Sequence, residues 1–88
     1  MQNRSFTIIN RLGLHARAAA QFVQTANKFS SEVKLIKDDI EVNGKSIMGI
    51  LLLAAPKGTD ISVSVEGNDE VQAMDMISAL IEDGFGED

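Results

Sequence analysis

Asp60-Ile61-Ser62-Val63-Ser64-Val65-Glu66 decides the fold class, because its side chains alternate between apolar and polar without a break. That alternation marks a strand with one face buried and one face wet: Ile61, Val63 and Val65 point to a core, Ser62 and Ser64 to solvent. A strand wet on one side belongs in an antiparallel sheet covered on one face only. Immediately upstream, Pro56-Lys57-Gly58 reads as a turn. Before it, Ile47 to about Leu53 reads as a short helix with Ser46 suited to cap it and core residues from Ile50 and from Leu52 to Leu53. Downstream, Asn68 is placed to cap a final helix, and Asp69 and Glu70 complement its positive end. Val71, Met74, Ile77 and Ile81 mark its buried face, and Gly84 stops it.

The rest of the chain supplies the partners of that strand. Phe6-Thr7-Ile8-Ile9 is a short β-rich segment with Phe6 and Ile8 on one face, and Asn10-Arg11-Leu12-Gly13 follows as a loop. A helix is expected from about Ala16 to Lys28, with Ala19, Phe22, Val23, Ala26 and Phe29 on its apolar side. Glu32 to Lys37 reads as a strand with Val33 and Leu35 on one face, Asp38-Asp39 as a turn, and Ile40 to Val42 as the hairpin partner, broken by Asn43-Gly44. The order β-α-β-β-α-β-α predicts an α+β protein, an open-faced β-sandwich in which three helices cover one face of a four-stranded antiparallel sheet.

Eighty-eight residues make one domain over 1–88, which buries ~60–65% of the surface its unfolded chain exposes. The absence of cysteine excludes disulfides and thiolate metal sites and suits a reducing compartment, and a single histidine argues against a metal centre or a bound cofactor. The longest apolar stretch, Ile47 to Ala55, is too short to span a bilayer, and the N-terminus does not read as a signal, so a cytoplasmic protein without membrane contact is expected. A net charge of -5 argues against nucleic-acid binding. All eight Lys and Arg fall within residues 1–57, which total +4, while residues 58–88 total -9. A positive patch near Arg17 would suit an acidic protein partner; the acidic half is read as a solvated face. Gly44-Lys45-Ser46 is no nucleotide P-loop, because Asp39 stands where that motif needs a glycine.

The one histidine falls where a turn hands over to a helix, in Gly13-Leu14-His15-Ala16-Arg17-Ala18-Ala19-Ala20-Gln21-Phe22. At a helix start several backbone N–H groups have no partner in the helix and the peptide dipoles leave a partial positive charge, so an anion held there is stabilised. An uncharged imidazole at that point offers a lone pair as nucleophile, and Arg17 adds a forked set of donors that matches phosphate oxygens. A histidine that accepts a phosphoryl group fits this arrangement; a structural or surface histidine fits the spacing as well.

Gly13-Leu14-His15-Ala16-Arg17 resembles the active-site motif of the HPr family, the histidine-containing phosphocarriers of the bacterial phosphoenolpyruvate-dependent phosphotransferase system. The resemblance continues through Asn43-Gly44-Lys45-Ser46-Ile47-Met48-Gly49-Ile50, Leu53-Ala54-Ala55 and Lys57-Gly58-Thr59 to Gly84-Phe85-Gly86-Glu87. It implies the same open-faced fold and phosphorylation of His15 at Nδ1. Arg17 would neutralise the transferring group, and the backbone amides of Ala16 and Arg17 would hold its oxygens. It implies enzyme I as donor, a downstream EIIA-type protein as acceptor, and a monomeric carrier with a covalent intermediate rather than an independent enzyme. It also implies docking through Ala20, Ile47, Met48 and Leu51, and regulatory phosphorylation of Ser46 by a serine kinase. The family usually has proline after the arginine, where Ala18 stands here. Two other classes are a regulatory binding module of the same fold switched at Ser46, and an α/β interaction domain with a structural histidine.

Overall fold

The computed structural model describes residues 1–87. Along the chain run β1 (Gln2–Thr7), α1 (Ala16–Ala26), β2 (Glu32–Lys37), β3 (Ile40–Asn43), α2 (Ile47–Leu52), β4 (Asp60–Glu66) and α3 (Glu70–Glu82), closed by a 3-10 turn at Gly84–Gly86. The strands form one antiparallel sheet in the order β1-β4-β2-β3. The cleanly alternating β4 is thus an interior strand. Its buried Val65 and Val63 lie opposite the buried Val33 and Leu35 of β2, and its Ile61 opposite Phe6 of β1. The core between sheet and helices is closed by Phe22, Ile50, Leu53, Met74, Ile77 and Ile81, all essentially inaccessible to water.

Four sequence expectations need correction. β1 begins at Gln2 and stops at Thr7, earlier at both ends than the apolar residues suggest. On the face that carries Phe6 its other members are Gln2 and Arg4, so no alternation shows; Arg4 instead donates through Nη1 to Ser78 Oγ of α3 at 2.7 Å. The Phe6 and Ile8 face does hold, both side chains being buried. α1 ends at Ala26 rather than Lys28, because Asn27, Lys28 and Phe29 donate to Val23, Thr25 and Ala26 in a tightening last turn. In α2 Leu52 is 74% exposed while Ile50 and Leu53 are buried: a helix this short buries one stripe, and Leu52 points away from it.

The fourth correction concerns α3. Its N-cap position is Asp69, not Asn68, and no side chain caps it there. The Asp69 carboxylate instead accepts from the backbone N–H and hydroxyl groups of Ser30 and Ser31, tying the loop after α1 to the start of α3. The Ser31 hydroxyl, then the backbone N–H groups, hold its pKa down at about 2. Glu70 does serve the helix start, accepting from Gly67 N–H at 3.2 Å. Val71 is exposed at the margin of a buried stripe formed by Ala73, Met74, Ile77, Ser78 and Ile81. Gly84 ends the helix as expected, with φ of 64°. Among the described residues no helix is long and apolar enough to cross a membrane.

Candidate functional site

The loop that presents His15 is built from backbone outward. Past β1 two further hydrogen bonds continue the ladder, Ile8 N–H to Thr59 O at 2.8 Å and Gly58 N–H to Ile8 O at 2.7 Å. The chain then turns: Gly13 N–H donates to Asn10 O at 3.1 Å, and the Asn10 side chain returns the favour through Nδ2 to Gly13 O at 2.7 Å. Gly13 has φ of 66°, and a Cβ there would stand 2.5 Å from Ala55 O and 2.7 Å from Pro56 Cα. Only glycine allows this approach. It brings Leu14 N–H within 2.9 Å of Ala55 O and buries the Leu14 side chain.

His15 follows as the N-cap residue of α1, with extended backbone and a carbonyl that accepts Ala19 N–H at 2.9 Å. Its side chain caps nothing. The ring is half-buried beside Leu12, Leu14, Ala54, Ala55 and Pro56, with Nδ1 3.1 Å from Gly13 O. A carbonyl oxygen only accepts, so in this arrangement Nδ1 carries a proton, and in the neutral ring the lone pair is on Nε2. The N–H groups of Ala16, Arg17 and Ala18 have no hydrogen-bond partner among the described residues. Arg17 is exposed and forms no salt bridge among them. His15, Ala16 and Arg17 thus converge on one helix end that can hold an anion beside a nucleophile. Ala18 is fully buried, and its unpaired N–H is a donor that a proline would lack.

The remaining predicted residues lie on α2 and the exposed side of α1. Ser46 caps α2, its Oγ accepting Gly49 N–H at 3.1 Å. It stands at the far end of that helix from Ala54, about 9 Å of helix away from the end that lines the histidine. Ile47, Met48 and Leu51 are exposed at 41%, 72% and 36%, and with Leu52 they leave the outer side of α2 apolar; Ala20 is half-buried.

Three supporting residues escaped the sequence reading. Asn10, read there only as part of a loop, is buried; an Asn three residues before a turn glycine was the available signal. Lys37 donates through Nζ to Leu53 O at 3.1 Å and Ala54 O at 3.3 Å, clamping the carbonyl end of α2, where cations are favoured. Ala54, beside the histidine, has φ of 50°, a conformation that costs an alanine energy.

Comparison with known proteins shows the family and the fold. The family described as "PTS HPr component phosphorylation site" matches residues 2–83. The chain is 54% identical over 87 residues to the phosphocarrier protein HPr of Neisseria meningitidis serogroup A, covering 99% of this chain and 98% of that one. A crystal structure of HPr-C-His from Thermoanaerobacter tengcongensis superposes with a TM-score of 0.96 at 49% identity, covering 100% of this chain and 99% of that one. An HPr dimer from the same organism gives 0.79 at 49% identity, with 99% and 100% covered. With a four-stranded open-faced sheet, a histidine at the start of α1 and similarity along nearly its whole length, the chain belongs to the HPr family, the phosphocarriers of the phosphotransferase system.

Proposed function

We propose that residues 1–88 act as one carrier domain, with His15 taking a phosphoryl group from phosphorylated enzyme I and passing it to an EIIA-type acceptor. The observation that carries this reading is the half-buried imidazole beside the unpaired amides of Ala16 and Arg17. A ring nitrogen lone pair forms the new N–P bond while the donor–phosphorus bond breaks, its electron pair staying on the donor. Arg17 and the two amides neutralise charge on the phosphoryl oxygens. Transfer at Nδ1, the nitrogen implied by the family resemblance, requires that the proton reside on Nε2 and that the ring turn away from Gly13 O, to which Nδ1 now donates. His15 returns to its starting state only when the acceptor removes the group, so the protein is a covalent shuttle with no turnover of its own.

Docking is assigned to the exposed apolar side chains of Ile47, Met48 and Leu51 on α2 together with the half-buried Ala20 of α1, which fit an apolar patch on each partner in turn. Ser46 is the proposed target of a serine kinase: a phosphate there would add a charge of about -2 next to Ile47 and oppose an acidic partner. The carrier is proposed to work in the cytoplasm as a monomer. The experiment is intact mass after incubation with phosphoenolpyruvate and purified enzyme I, repeated after brief acid and with His15→Ala. One acid-labile phosphate that the variant lacks is expected; none, with an enzyme I active on another carrier, refutes the reading. Sedimentation at carrier concentrations checks the monomer against a two-copy assembly.

A further inference from the structure

Asn10 is 4% exposed, and its amide is used one-sidedly. Nδ2 donates both to Gly13 O at 2.7 Å and to the Glu87 carboxylate, while Oδ1 is buried without a partner. The orientation is dictated by its neighbours, since the reversed amide would set Oδ1 against two acceptors. Glu87 is carried there by a tail shaped for the purpose. Gly84 and Gly86 have φ of 64° and 74°, Phe85 between them is buried, Glu87 N–H donates to Gly84 O at 3.1 Å, and Gly84 packs close to Asn10. Gly13 O, the other acceptor of this amide, is also the acceptor of His15 Nδ1. A chain of hydrogen bonds therefore runs from the Glu87 side-chain carboxylate through a buried amide and one carbonyl to the imidazole.

We propose that Asn10, held by Glu87, is a positioning residue that keeps the Gly13 carbonyl partnered and so lets the His15 ring release it. The inference rests on the carrier reading above. A carbonyl oxygen has two lone pairs, and here Asn10 and His15 each take one. When the ring turns to expose Nδ1, the buried carbonyl keeps Asn10. Without Asn10 the same movement would strand a buried acceptor, so the ring would be locked in place as the Nδ1–H tautomer. Glu87 explains the orphaned Oδ1: its carboxylate is the second acceptor that holds Nδ2 in place, and without it one hydrogen bond instead of two fixes the amide toward Gly13.

The test uses the full chain with Asn10→Ala, Glu87→Ala and Glu87→Gln, the last keeping an acceptor for Nδ2. Nitrogen NMR of the uncharged His15 ring reports the tautomer before any phosphate is present, and enzyme I assays report kcat/KM for phosphoryl acceptance. Asn10→Ala should raise the Nδ1–H fraction and slow acceptance about tenfold, the effect of one stranded buried carbonyl. Glu87→Ala, at the chain's edge and not a core residue, should do the same to a smaller extent, and Glu87→Gln should restore both readouts. Wild-type tautomer balance and rate in Asn10→Ala and Glu87→Ala, a fall in the Nδ1–H fraction, or Glu87→Gln behaving like Glu87→Ala would each overturn the proposal. If the tautomer shifts as described but the wild type takes no phosphate, the carrier reading fails and the ring coupling stands.

Discussion

Gly13→Ala puts a number on the cost of bringing the histidine loop against the end of α2. Two terms act in the folded state. A Cβ at φ of 66° carries the left-handed penalty, about 1–2 kcal/mol. The same Cβ would meet Ala55 O at 2.5 Å and Pro56 Cα at 2.7 Å, both backbone atoms, so the loop must withdraw and surrender the Leu14 to Ala55 hydrogen bond, about 1 kcal/mol. Against these stands the stiffer unfolded chain, which returns about 0.4–1 kcal/mol. The net loss is about 2 kcal/mol. Gly86→Ala is the internal control: its φ is 74°, but nothing lies within 4 Å of the added Cβ, so only the conformational terms remain and the loss is about 1 kcal/mol or less. Urea unfolding measures both. With a slope of about 1 kcal/mol per molar for a chain of this size, the midpoint should fall by about 2 M for Gly13→Ala and about 1 M or less for Gly86→Ala, the slopes unchanged. Equal midpoint shifts would refute the contact argument, leaving backbone conformation as the whole effect.

Ala54→Gly relieves the left-handed strain at φ of 50° and should raise stability by about 0.5–1 kcal/mol after the unfolded-state entropy is subtracted, read as a higher urea midpoint. Asp69 has a folded-state pKa of about 2, below the unfolded carboxylate value, so its contribution is complete above about pH 4 and drains away as pH falls toward 2. Asp69→Asn should therefore flatten the loss of stability across that window, measured by urea titrations at successive pH values; an unaltered acid limb would contradict the assignment. Met48→Ala removes the most exposed of the three predicted α2 docking side chains, and should raise KM for transfer to a partner several-fold while shifting stability by less than about 0.5 kcal/mol, checked by pairing transfer kinetics with a melt.

What was legible in the sequence follows from where the information resides. β4 was read to the residue because an interior strand with one wet face expresses its whole environment as alternation. Ser46 was read as a cap because capping is a contact over three residues. β1 was misplaced because the exposed Arg4 shares the strand face of Phe6 and finds its partner 74 residues away in Ser78. Asn68 lost the cap position to Asp69, whose carboxylate is claimed by Ser30 and Ser31 from another part of the chain. His15, the helix start and Arg17 are neighbours in sequence, so their proximity was legible there. Asn10 left a local signal in the turn glycine three residues on, whereas its bond to Glu87 and the reach of Lys37 to the end of α2 span longer separations, which no local pattern encodes.

The sheet order β1-β4-β2-β3 also governs when this site can come into being. Its middle strand is the last to be made: Gln2 pairs with Val65 and Thr7 with Asp60, while Val33 on the other side pairs with the same Val65. Until residues 60–66 are in place, the amino-terminal strand has no neighbour and the β2–β3 hairpin stands alone. Closing that long loop is an entropic cost met before its contacts repay it, which makes β1 docking the slow event of folding. The histidine loop hangs from β1 and is braced by Ala55 and Thr59. Its geometry is therefore a late product of folding, and a chain caught part-way would carry His15 without the loop that orients it.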